Sequence, residues 1–354
     1  MLRGVIWIFA AIALLATLLP VTPFKAWWVR AWDFPRVQVA CLIVLVLLAM
    51  VIWRHGLALL EAVLAGLLVL ALGLQLARIL PYTPLWSKMV VGSEAAASEP
   101  ARRLRLLAVN VLMSNRETGS LSKDIARHAP DLVLAVEVDE WWVRRLGELL
   151  PEHQHRVLHP LDNTYGMALF SRLDLVHPQV RFLLSQEIPS IRTGVRLASG
   201  ETITFYGIHP EPPSPTEADS SLPRDAELVM VGKEAAKESR PVVVAGDLND
   251  VAWSHTSRLF TRISGLLDPR IGRGFYSTFH AGWPVLRWPL DHVFHSDRFT
   301  LRELHRLPAF GSDHFPIFIA LDLAPAAASM QDAEEADAED REEAEETVEE
   351  AREP

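Results

Sequence analysis

The sequence predicts a sheet-rich mixed α/β domain carried behind three membrane helices. Two observations support this. Three apolar runs of membrane length fill the first eighty residues, and beyond them short apolar strands alternate with helical stretches. A chain of 354 residues has room for both parts.

The runs 4–20, 37–53 and 56–77 are each about long enough to cross a hydrocarbon layer of roughly 30 Å at about 1.5 Å per residue. Residues 1–80 therefore read as a membrane anchor with three spans. The first run lacks a convincing small-x-small cleavage site and two further spans follow it, which favours a retained anchor over a signal peptide. Glu61 stands near a helix start, where it can snorkel to the interface; the sharper alternative is a functional intramembrane carboxylate. Trp27, Trp28 and Trp32, between the first two runs, suit the headgroup boundary. The only cysteine, Cys41, lies within the second run, so no intrachain disulfide can form.

Three spans place the termini on opposite sides of the membrane. Lys25, Arg30, Arg36, Arg78 and Lys88 lie on one side against Arg3 and Arg54 on the other, a balance that leans toward a cytoplasmic C-terminal domain. Net charge is −10, but residues 331–354 hold 13 acidic side chains against Arg341 and Arg352, so everything before them sums to +1. The segment 91–330 comes out at about −4, which excludes a uniformly basic nucleic-acid-binding surface. The tail, 324–354, is Ala- and Glu-rich without aromatics and reads as disordered or a lone solvated helix, with a partner-binding arm as the alternative.

Residues 81–103 read as a linker, with Pro, Gly and Ser between the last span and the first strand. Strands are expected at 104–110, 131–137, 166–171, 192–198, 202–208, 241–246, 290–295 and 314–321, and helices at 118–129, 139–150 and 222–238. There is no internal repeat of the kind that builds solenoids.

Polar side chains recur at the ends of these apolar strands or in the turns beside them. LLAVN ends in Asn110, DLVLAVE in Glu137 and ITFYGIH in His209; PVVVAGDLN ends in Asp247 and Asn249, PLDHVF opens with Asp291, and GSDHF offers Asp313 and His314. Each alone has a bland explanation. Asn110 can cap a strand, His209 can be a satisfied core histidine, the GDLN stretch can be a turn and Asp291 can pair locally. Glu137, after a nearly unbroken apolar run, is costly to bury without a metal or a partner. The bland explanation must succeed separately at every position, which weakens it.

Hard oxygen ligands such as Glu137, Asp313 and the Asn110 amide suit Mg²⁺ or Mn²⁺, and no Cys/His cluster suits zinc. A carboxylate beside a histidine, as Asp291 with His314, can orient the ring for base catalysis or phosphate contact. Asn249 and His209 would hold the transferring oxygens. The set points to metal-assisted attack of water on a phosphorus ester.

These residues resemble the endonuclease/exonuclease/phosphatase (deoxyribonuclease I-like) superfamily, in the form of its membrane-anchored bacterial branch. The strand ending in Asn110, DLVLAVE, GMALFSR (166–172), YGIHPEPP, GDLN, LDHVF and SDHFP fall in the family's order over 104–323. The resemblance implies a four-layer sandwich of two stacked mixed β-sheets flanked by helices, with a divalent-metal site at one sheet edge. It implies Glu137 as the principal Mg²⁺ ligand with Asn110 and Asp313 near the metal, and Asp247 and Asn249 positioning water and phosphate. It also implies His209 at the phosphate or leaving group, and Asp291 orienting His314. Either Asp247 or His314 would be the base. Arg172 and Trp288 are candidate substrate contacts, Trp288 with wall packing as its alternative.

The expected activity is a membrane-anchored, Mg²⁺-dependent (or Mn²⁺-dependent) phosphoesterase of the bacterial inner membrane, with no obligate protein partner. The short polar run 211–221 lacks the Lys/Arg-rich insertions that suit a phosphate backbone, so a lipid-linked or small phosphodiester or pyrophosphate is favoured over DNA or RNA. A nuclease is the alternative within the class, and a non-catalytic membrane scaffold using the acidic tail the alternative outside it.

Overall fold

The computed structural model describes residues 2–52, 59–93 and 99–353. Arg54, the junction at 53–58, residues 94–98 of the expected linker and Pro354 lie outside the described residues. The apolar runs form helices α1 (Leu2–Leu18), α3 (Arg36–Ile52) and α4 (Leu59–Ile79), with a short α2 (Trp27–Arg30) in the connector. Two helices, α1 and α4, are long and apolar enough to cross a membrane; α3 makes a third span only as one bent unit with Trp27–Asp33, at 71°. The three pack on one another through Ala13, Ile43 and Leu68. Arg3 pairs with Glu61 at 2.8 Å, which gives that carboxylate a structural partner at the helix end.

The remainder alternates as β1 (Arg103–Asn110), α5 (Gly119–His128), β2 (Leu132–Val136), α6 (Glu140–Leu149), β3 (His155–His159), β4 (Met167–Ser171), β5 (Asp174–Phe182), β6 (Pro189–Arg196) and β7 (Thr202–Gly207). It continues with α7 (Leu222–Ala235), β8 (Val242–Asp247), α8 (His255–Ser264), β9 (Asp291–His295), β10 (Phe299–Arg306), β11 (Ile317–Leu323) and α9 (Ala338–Glu350). The strands form two sheets, ordered β10-β11-β1-β2-β4-β3 and β5-β6-β7-β8-β9. Only β1/β2 and β7/β8 run parallel among the ladders. Facing side chains such as Leu106, Leu134, Phe205 and Val243 fill the space between the sheets. Leu121, Ile125 and Trp142 cover the outside of the first sheet from α5 and α6, and Leu228 and Phe260 cover the second from α7 and α8. The result is the four-layer sandwich, with each sheet's apolar faces buried on both sides.

Three strands were not expected: β3, β5 and β10. All are sheet edges. Edge strands expose one rim and carry charges and irregularities that prevent further pairing, which breaks the apolar alternation. β5 shifts register between Val176 and Gln179 and β10 between Leu301 and Glu303. Helix α8 was also unexpected, although Ser254 caps its start and left-handed Gly265 its end.

The tail departs furthest from expectation. Asp337 and Asp340 form a capping box, and α9 lays Ala344 and Val348 against Val229 and Leu259. Asp340 accepts from Arg262, Glu343 lies 2.6 Å from His255, and Glu350 2.5 Å from Lys25. An apolar stripe of two residues is too thin to read in an acidic sequence, and its basic partners come from α8 and the connector.

The domain rests directly on the segments that connect the apolar helices to it and to one another. Trp253 Nε1 donates to the Asp33 carbonyl (2.7 Å), Tyr82 Oη to that of Ala252 (2.6 Å), and Gly272 N to that of Pro81 (2.8 Å). Tyr82, Trp253 and Phe275 stack edge to face in turn.

Candidate active site

A parallel strand pair ends at the same rim, and an antiparallel neighbour begins there. That rule gathers the site. Asn110 ends β1 opposite Val136, and Glu137 follows immediately; Asp247 ends β8 opposite Asp291, the first residue of β9. His209 lies just past β7, and Asp313 and His314 lie in the turn before β11, which runs antiparallel to β1.

The backbone at this rim is unusual. Glu137 and Asn249 adopt left-handed φ of 59° and 51°, a conformation that non-glycine residues hold only where surrounding structure imposes it. Gly246, at φ 148°, packs so closely that a Cβ would sit 1.8 Å from the Ile208 carbonyl. Gly311 (φ 101°) turns the chain beside Asn115, leaving Ser312 Oγ to donate to the Asn110 carbonyl at 2.9 Å and to accept from His314 N at 3.0 Å.

The side chains form one connected network. Asn110 Nδ2 donates to Glu137 Oε1 (2.7 Å) and Asp247 Oδ2 (3.0 Å). His314 Nδ1 lies 2.7 Å from Asp291 Oδ2, and its Nε2 lies 3.4 Å from Asp247 Oδ2. His209 Nε2 stands 3.9 Å from the same oxygen. Asn249 N donates to Asp247 Oδ1 (3.0 Å), and its Nδ2 to the Pro210 carbonyl (2.9 Å). Asn110, His209, Asp247, Asp291 and His314 are buried, whereas Glu137, Asn249 and Asp313 are partly open.

Burial dominates the electrostatics. It raises Glu137 to about 7, against the Asn110 hydrogen bond and helped by Asp247 and Asp313. It also raises Asp247 and lowers His209. For His314 burial is outweighed by Asp291 and then Asp247, which push its pKa up to about 10. Four carboxylates thus face one histidine held cationic. Such an excess of negative charge, with Glu137 raised and partly open, suits a divalent cation bound through oxygen.

The Asn110 amide is held at both ends. Its Oδ1 accepts from Leu112 N at 2.9 Å, and its amino group links Glu137 to Asp247. Asp247, Asp291 and His314 place ligand atoms within 4.8 Å of one another, but the 2.7 Å His314–Asp291 contact is a hydrogen bond with no space for an ion between its atoms. Glu137 and Asp313 are the two partly open carboxylates of this rim.

Two expected substrate contacts lie elsewhere. In β4, Met167 opposes Val136 while Ser171 opposes Leu132, so the GMALFSR segment runs away from the rim. Arg172 at its far end pairs with Glu152 at 2.8 Å. Trp288 is a wall residue between Phe34 of the connector (5.6 Å) and Phe279 (6.3 Å).

Several participants carried no sequence signal of their own. Tyr165 is buried with its ring 5.7 Å from that of His209 and donates to Glu217. Phe279 lies 4.9 Å from the His314 ring, and Thr278 Oγ1 accepts from Asp291 N. Buried Arg224 donates to the Asn249 carbonyl at 2.8 Å, holding the GDLN turn from α7. Asp250, one residue past that motif, braces Ser254 and Ser257 at the start of α8.

A model of the Endonuclease/Exonuclease/phosphatase family matches residues 107–314. No curated protein matches the chain significantly. Among solved structures, the catalytic domain of human nocturnin with bound sulfate shares 16% identity over 64% of this chain and 97% of its own, with a TM-score of 0.51. An endonuclease/exonuclease/phosphatase from Beutenbergia cavernae shares 19% over 63% and 72%, at 0.50. Danio rerio TDP2 complexed with a single-strand DNA product shares 17% over 62% and 99%, also at 0.50. At these identities the likeness establishes the fold.

Proposed function

This chain belongs to the endonuclease/exonuclease/phosphatase family and is a phosphoester hydrolase, and we propose that it is a membrane-anchored, Mg²⁺- or Mn²⁺-dependent enzyme acting on a lipid-linked or small phosphodiester or pyrophosphate. The observation that carries this reading is the connected set of hydrogen bonds and one close ion pair joining Asn110, Glu137, Asp247, Asp291 and His314 at one rim.

In this reading Glu137 and Asp313 hold the metal, which supplies charge neutralisation at the phosphate oxygens when bound. His314, held cationic by Asp291 on Nδ1, turns its Nε2–H, which makes no hydrogen bond among the described residues, to a phosphate oxygen. Asp247 is the base that takes the proton of the attacking water: burial raises its pKa, which makes its carboxylate more basic than an exposed one. Asn249 orients the phosphate, and His209 stands at the leaving oxygen.

The substrate preference rests on placement. Three residues past Asp250, Trp253 is bonded to the connector between membrane helices, and Phe34 of that connector leads through Trp288 and Phe279 to His314. A site so joined to the membrane helices favours substrate arriving from the bilayer.

The test uses the full chain in detergent micelles with a bis-aryl phosphate. Mg²⁺ or Mn²⁺ should support turnover, EDTA should remove it, and E137Q should lose on the order of 100-fold or more. Turnover that survives both EDTA and E137Q overturns the reading. Plasmid nicking set beside phosphate release from lipid pyrophosphates separates nuclease from lipid phosphoesterase.

A further inference from the structure

Away from the catalytic rim, a cavity of about 910 Å³ opens between the first turn of α3 and the domain. Val37, Gln38, Trp253, Phe275 and Val285 line it. Three guanidinium groups line it: Arg273, Arg287 and Arg306.

None of the three has a carboxylate within salt-bridge distance among the described residues. Their hydrogen bonds go to neutral carbonyls. Arg273 donates to Val90 and Pro269, Arg287 to His280 and Ala281, and Arg306 to Ser277. Arg287 and Arg306 both lie over the Phe315 ring, at 4.9 and 4.4 Å. Burial, and for Arg306 also the charge of Arg287, weaken the protonated forms of Arg273 and Arg306. Three cations gathered beside a cavity with no acidic residue in its lining leave a local positive field there. Guanidinium groups match phosphate oxygens in both charge and fork geometry.

The surroundings specify where the phosphate comes from. Gln38 Nε2 donates to the Val285 carbonyl at 2.7 Å, so the loop carrying Trp283, Val285 and Leu286 is tied to the start of an apolar helix. Val285 and Trp283 are 73% and 61% exposed. Cationic groups at the head of an apolar helix, beside an apolar lip, suit a molecule with a charged head and a hydrocarbon body.

We propose that this cavity binds the headgroup phosphate of an anionic phospholipid, with the acyl chains lying along α3. The site is separate from the catalytic network, and it rests on the reading of α1, α3 and α4 as membrane helices.

The test reconstitutes the full chain into nanodiscs of phosphatidylcholine mixed with phosphatidylglycerol, then measures by native mass spectrometry which lipids stay bound. Phosphatidylglycerol should be enriched roughly tenfold over its share of the bilayer. The R287Q/R306Q double variant should lose that enrichment while keeping its thermal unfolding midpoint, and R306K should retain part of it. Enrichment absent from the parent chain, or unchanged in the double variant, overturns the proposal. Displacement of the lipid by inorganic phosphate reassigns the site to a free anion and overturns the lipid source. A chain that does not enter nanodiscs at all removes the membrane premise, and the proposal with it.

Discussion

Asp291→Asn keeps the shape of the His314 partner and removes its charge. The two groups are 2.7 Å apart and both are buried. Burial pushes the imidazole toward its neutral form, yet Asp291 and then Asp247 raise its pKa from 6.5 to about 10. A rise of about 3.5 units corresponds to about 5 kcal/mol of net preference for the imidazolium. Asp291 is the larger of the two charges that raise it and bonds the ring directly, so D291N should lower the His314 pKa by roughly two units. If the cation is the working form, the alkaline limb of the kcat/KM profile for a soluble aryl phosphodiester moves down by the same amount. Loss should reach on the order of tenfold near pH 9 and stay below about twofold near pH 7. Thermal unfolding measured in the same detergent separates this from misfolding. An unmoved alkaline limb, or a loss of equal size at both pH values, would refute the idea that Asp291 holds His314 as a cation.

Glu227 is buried on α7 with Oε1 lacking a hydrogen-bond partner, and burial raises its pKa from 4.5 to about 8. The folded chain therefore keeps a proton that the unfolded chain releases above about pH 4.5, and stability falls as pH rises through that window, by up to roughly 4 kcal/mol. Glu227→Gln should flatten this decline and be more stable than the parent at pH 8, as read by denaturant unfolding; a variant with the parent's pH slope would contradict it. Gly246→Ala places a Cβ 1.8 Å from the Ile208 carbonyl at a φ of 148°, so it should cost roughly 3 kcal/mol in unfolding free energy and displace Asp247, with activity falling more than stability alone explains.

Sheet centres and site were legible because both follow from strand ends. Buried strands such as β2 and β8 are apolar throughout, so a polar residue closing one stands out. Asp247 and Glu137 were visible for that reason. Arg172 failed under the same logic, because sequence gives no strand direction: β4 runs antiparallel to β2 and carries its final residues to the opposite rim. The role of Asn110 was hidden more deeply, since its side-chain orientation is set by the Leu112 amide in the turn that follows. Edge strands β3, β5 and β10 were lost to their own charges and register shifts. Tyr165 and Phe279 touch the site histidines from loops, and only the packed chain shows that they arrive there.

The segment 247–253 joins chemistry to membrane. Asp247 closes β8 inside the network, Asn249 is held left-handed by Arg224, and Asp250 fixes the start of α8 while its carbonyl lies 2.9 Å from His292 Nε2. Arg270, paired with Asp268, occupies the other ring nitrogen of His292. Three residues later Trp253 sits in the aromatic stack with Tyr82 and Phe275, bonded to the connector. Every residue of this stretch is braced by a different element, so a displacement of the connector reaches Asp247 through a few stiff contacts. Rigid packing transmits strain where a flexible linker would absorb it. The segment expected to act as a tether is instead partly a structural wall of the domain: Tyr82 and Val90 are buried, and Gly92 bridges to Leu301. The contacts that hold Asp247 in place are thus continuous with those that join the domain to the apolar helices.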